Sequence, residues 1–186
     1  LAVLAAVGGC SSDQSKAAPP TAPASTPGSS PAASTPPQGE WFTDRAAESG
    51  LDFVHFNGMS GKLYQPEIMG PGAALFDYDN DGDLDVFLVQ GRMLGTGTPL
   101  IPVPDPLTDR LYRNDLVVAA DGTRTLHFTD VTAQSGIKPR GYGMGVAAGD
   151  FDNDGRIDLY LTGLGRNQMF RNNGDGSFSD ASKPSG

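Results

Sequence analysis

From Glu40 onward, apolar side chains come in short runs separated by acidic or glycine-rich loops. AALF at 73–76 and VAAG at 146–149 each lead into an acidic loop, and DVFLV at 85–89 and DLYLT at 158–162 leave it. Runs so short and rich in β-branched and aromatic residues suit buried strands. LYRN at 111–114 and MFRN at 169–172 predict a third strand, followed by a turn such as NNGDG at 172–176. HFTDV at 127–131 and SFSDA at 177–181 predict a fourth. Helix is expected only as a single turn at DRAAESG, residues 44–50. The fold class expected is therefore all-β.

The pattern is duplicated. FTDRAAESGL at 42–51 recurs as FTDVTAQSGI at 128–137 and begins again as FSDAS at 178. GPGAALFDYDNDGDLDVFLVQG at 70–91 recurs as GMGVAAGDFDNDGRIDLYLTGLG from 143, and LYRND at 111–115 as MFRNN at 169–173. An insertion at 92–107, rich in glycine and proline, marks a long surface loop in the first copy. Four short strands per unit, at a unit length of about 50 residues, is the pattern of a β-propeller blade. The expected architecture is an incomplete β-propeller: two blades and the start of a third, where closed rings hold about four to eight. On this reading the chain is cut at both ends.

Composition changes the picture upstream of residue 40. LAVLAAV followed by GGC resembles the end of a bacterial lipoprotein signal, with Cys10 as the lipidated first mature residue and the membrane as partner. The apolar run is too short to span a bilayer. Residues 11–39 are almost wholly Pro, Ala, Ser and Thr, which predicts a disordered, partly polyproline II tether. The chain thus divides into a partial signal peptide at 1–10, a linker at 11–39 and a repeat region at 40–186. These features place the protein in the bacterial cell envelope, on the cell surface or outside the cell. Cys10 is the sole cysteine, so no intramolecular disulfide can form. A net charge of −9 without a basic cluster argues against nucleic acid as a partner.

The charge is local: nine of the 22 acidic residues lie in DYDNDGDLD at 77–85 and DFDNDGRID at 150–158. Carboxylates so close repel one another without a counter-ion. Alternate residues of a tight loop can converge on one hard cation, with glycine at the sixth position permitting the turn. The candidate ligands are Asp77, Asp79, Asp81 and Asp85, and Asp150, Asp152, Asp154 and Asp158. Asp83 and Arg156 are expected to offer backbone carbonyls, and Leu84 and Ile157 to turn inward as apolar anchors. An EF-hand loop is excluded because Leu88 and Leu161 stand where it needs a bidentate glutamate. The all-oxygen ligand set favours calcium as the cofactor.

GPGAALFDYDNDGDLDVFLVQG and GMGVAAGDFDNDGRIDLYLTG resemble FG-GAP repeats, also called VCBS-type repeats, the units of the integrin alpha-chain propeller. The stretch from about Trp41 to Ser182, including FVHFNG and QPEIMGPG, is similar to bacterial members of the cartilage acidic protein group, whose chains often end in an ASPIC/UnbV domain. The resemblance implies a calcium-bearing propeller on or outside the cell, with calcium in the hairpin between the first two strands of each blade.

Catalytic candidates are few. His55 and His127 are the only histidines, and each lies among aromatics where a packed structural role is expected. The sequence has no GxSxG or HExxH motif. Tyr112, Phe170 and Phe178 read as core. The expected function is a non-enzymatic adhesion or ligand-binding scaffold with a protein or polysaccharide ligand. The alternative is a propeller hydrolase or lyase acting on polysaccharide, with catalytic residues outside this chain.

Overall fold

The computed structural model describes residues 42–183. The signal, Cys10 and the tether at 11–39 lie outside them. The first unit contains β1 (Ala73–Phe76), β2 (Asp85–Leu88), β3 (Arg110–Asn114) and β6 (Phe128–Asp130). They form one antiparallel sheet in the order β1-β2-β3-β6. The second contains β7 (Gly143–Gly149), β8 (Asp158–Gly163), β9 (Gln168–Asn172) and β10 (Phe178–Asp180), an antiparallel meander. All eight strands fall where the apolar runs predict them, in two units with the same strand order. The fold is all-β and propeller-like.

The two sheets share one core. Phe76, Phe87, Val89 and Leu111 of the first unit cluster with Leu159, Leu161, Phe170 and Phe178 of the second. Each such side chain is worth roughly 1.5–3 kcal/mol when fully buried. Tyr112, Phe170 and Phe178 are buried, as their repeat positions predict. The innermost strands approach so closely that a Cβ on Gly72 would sit 2.7 Å from the Cα of Gly145. The Gly72 N–H donates to the Met144 carbonyl there (3.1 Å), which fastens sheet to sheet.

Several features differ from the sequence reading. Residues 46–50 form hydrogen-bonded turns, whereas short helices occur at α1 (Gln65–Ile68) and α2 (Thr132–Ser135). The α2 segment is the second copy of the stretch expected to make the helical turn. A small hairpin, β4 (Val117–Val118) with β5 (Arg124–Thr125), stands between β3 and β6. Leu84 does not turn inward; it is 55 % exposed. Ile157 does pack on the core cluster. The reason is positional: Ile157 meets the core between the two sheets, while among the described residues no sheet precedes the first. His127 is exposed rather than packed, and His55 is half-buried and stacked on Phe53. No helix among the described residues is long and apolar enough to cross a membrane.

Candidate metal centre

Each acidic stretch is the hairpin joining the first two strands of its sheet, and each is wound by its own carboxylates. Asp77 accepts the backbone N–H groups of Asp81 (3.1 Å) and Gly82 (3.0 Å). Asp150 does the same for Asp154 (3.0 Å) and Gly155 (2.8 Å). The fourth and sixth residues take left-handed backbone conformations, with φ of 61° and 94° at Asn80 and Gly82 and 59° and 85° at Asn153 and Gly155. Glycine enters that region without a Cβ clash, and asparagine is among the few side chains that tolerate it. This explains why DxDNDG recurs unchanged.

The ninth residue closes the loop from below. Asp85 is fully buried, and its two oxygens accept the N–H groups of Tyr78 and Asn114, both at 2.9 Å. Asp158 accepts those of Phe151 (3.0 Å) and Asn172 (2.7 Å). Held this way, Asp77, Asp79 and Asp85 bring one carboxylate oxygen each within 4.8 Å of one another, as do Asp150, Asp152 and Asp158. Burial pushes the Asp85 carboxyl up to about 6 against the two N–H bonds it accepts. Asp79 is raised by burial and by its neighbours Asp81 and Asp77. Compressed carboxylates of this kind are relieved by a hard cation with oxygen ligands, so the donor set fits a metal ion.

Positions one, three and nine therefore converge, while position five works inside the loop. Asp81 accepts the N–H of Asp83 (2.8 Å), and Asp154 that of Arg156 (3.0 Å). The Arg156 guanidinium pairs with Asp154 and donates from Nε to the Asn172 carbonyl (3.1 Å).

The two hairpins differ in their counter-charges. Arg171 on β9 reaches Asp152 through Nε (2.6 Å) and Asp154 through Nη2 (2.9 Å). Although burial opposes it, the Arg156 N–H and the two guanidinium groups hold Asp154 below the usual carboxylate range. In the first unit the equivalent Arg113 turns instead to Asp115 (2.7 Å), where the second unit has Asn173. The first hairpin is left with more uncompensated negative charge.

Asn114 and Asn172 escaped the sequence reading. Asn172 is fully buried, and its side-chain amide donates to the carbonyls of Ile157 (3.1 Å) and of Tyr78 in the other hairpin (2.7 Å). The signal available for it was the register of LYRND against MFRNN.

A family model described as FG-GAP-like repeat matches residues 77–161 and again 150–186. The chain belongs to the FG-GAP-like repeat family. No curated protein and no solved structure matched it. Each FG-GAP-like match begins on the first aspartate of an acidic hairpin, Asp77 or Asp150, and the first match runs through the second hairpin to residue 161.

Proposed function

We propose that this FG-GAP-like chain is a calcium-binding, non-enzymatic scaffold that works outside the cell in adhesion or ligand binding. The observation that carries the reading is the duplicated convergence of three carboxylates at Asp77, Asp79 and Asp85 and at Asp150, Asp152 and Asp158. Calcium suits it because flexible, all-oxygen sites favour that ion over magnesium, which demands strict octahedral geometry and retains its waters. Extracellular modules bind calcium with dissociation constants of roughly 10⁻⁴ to 10⁻³ M, so such loops fill where calcium is abundant and stabilise the folded state. Each hairpin would hold its ion on the first, third and ninth carboxylates.

Isothermal titration of the full chain with calcium tests this. Two binding events are expected for the wild type and none for the double variant Asp79→Ala, Asp152→Ala. Identical heats from the two proteins would remove the hairpins from the reading.

A further inference from the structure

The two hairpins repeat their carboxylates more faithfully than their counter-charges. The first carries Asp77, Asp79, Asp81, Asp83 and Asp85 with no cation in the loop, whereas the second has Arg156 where the first has Asp83. The second also recruits Arg171 from β9, which donates to Asp152 at 2.6 Å and to Asp154 at 2.9 Å. Arg113 holds the same place on β3 but pairs with Asp115 at 2.7 Å. Asp79 lies close enough to feel that guanidinium, yet burial and the charge of Asp81 still raise its carboxyl.

The difference comes down to one atom. Asp115 and Asn173 are equivalent positions, and their backbone N–H groups donate to equivalent carbonyls, of His127 (2.7 Å) and Ser177 (2.9 Å). Each side chain accepts a hydroxyl from the same place on the last strand of its sheet, from Thr129 on β6 and from Ser179 on β10 (2.9 Å). The other oxygen of Asp115 accepts the Arg113 guanidinium. Asn173 has an amide nitrogen instead, which donates to the Ser177 hydroxyl at 3.0 Å. That nitrogen has nothing to accept a guanidinium proton, and Arg171 extends to the hairpin.

We propose that Arg171 is a built-in counter-ion of the second hairpin that competes with calcium for Asp152, so that the first hairpin is the tighter site and fills first. The proposal rests on the calcium reading above and ranks its two sites. Calcium affinity follows the charge its ligands present, and Asp152 must share its charge with a guanidinium before it serves an ion. Both partners are exposed, so water screens the pair. Its displacement is worth about fivefold in affinity, the upper scale of a surface ion pair. The second hairpin is thus partly neutralised without the ion, whereas the first depends on it.

The test is a calcium titration of the full chain followed by nuclear magnetic resonance at the Gly82 and Gly155 amides, which donate to Asp77 and Asp150. Gly82 is expected to reach its midpoint at about fivefold lower calcium than Gly155. Asn173→Asp should draw Arg171 away and tighten the second site, while Asp115→Asn should release Arg113 towards Asp79 and weaken the first. Each of these substitutions also alters the local charge, so Asn173→Asp is repeated in an Arg171→Gln background. There its effect should vanish. Equal midpoints in the wild type, Gly155 moving first, or an Asn173→Asp effect that persists without Arg171 would each overturn the proposal and leave the calcium reading standing. Calcium that moves neither glycine would overturn both.

Discussion

Asp109 shows what a single buried carboxylate costs this fold. Burial raises its carboxyl to about 6, against the Gln90 N–H it accepts (2.8 Å) and the nearby Arg92 charge. In the unfolded chain an aspartate titrates at about 3.9, so between these values the native state binds more protons and stability falls as pH rises. The difference amounts to about 3 kcal/mol, fully lost above pH 6 or so. Asp109→Asn keeps the oxygen that Gln90 needs and removes the buried charge. Its melting temperature should exceed that of the wild type at about pH 7.5 and approach it at about pH 4. A variant as pH-sensitive as the wild type would show that other groups set the slope. Nothing in the local sequence marks Asp109, because its environment is built from Gln90, nineteen positions earlier, and from the β6–β7 and β8–β9 connections. The hairpin aspartates were legible because they recur at fixed spacing and the N–H groups that Asp77, Asp81, Asp150 and Asp154 accept lie within five residues of them. Arg171 lies between these cases, for its pairing with Asp152 depends on Asn173 standing where the first unit has Asp115.

The hairpin is the element the chain repeats most faithfully, and the two copies are physically tied. The buried amide of Asn172 uses both of its protons, one on Ile157 of its own hairpin and one on Tyr78 of the other, while its oxygen accepts the Gly174 N–H (2.9 Å). Its counterpart Asn114 donates to Leu84 (3.1 Å), and its side-chain oxygen has no partner. The asymmetry follows from neighbours: Asn172 has the first sheet beside it and a glycine two positions on. Asn172→Ala would strand the buried Tyr78 carbonyl and the part-buried Ile157 carbonyl and should cost about 2–6 kcal/mol, since each unsatisfied polar group costs roughly 1–3. It should also weaken calcium binding at both hairpins, whereas Asn114→Ala should affect the first alone. Denaturant melts and calcium titrations of the two variants read these effects, and equal, local losses would break the proposed tie. Strand positions were legible because apolar runs of four to six residues admit few alternatives. The β4–β5 hairpin was not, since its exposed valines and polar turn leave no buried face to pattern.

At the scale of the whole repeat region, the question is whether two sheets make one folding unit or two. Leu159 is fully buried, on the face of the second sheet that meets the first. Phe87 and Leu111 from one sheet and Phe170 and Phe178 from the other lie in a single cluster. In stacked repeats a unit buries its face only against its neighbour, so stability is shared across the interface. The duplicated sequence made this stacking legible, but not which residues would meet, because each sheet buries a different set of equivalent positions. Phe87 of the first unit lies in the common core, while Tyr160, its counterpart in the second, is 37 % exposed. Leu159→Ala should destabilise the region by about 2–5 kcal/mol. If the interface is the shared core, it should lower hydrogen-exchange protection at Val86 and Tyr112 of the first sheet as much as at Leu161 of the second. Loss of protection confined to the second sheet would show that the two units unfold independently and that the interface contributes little to the first.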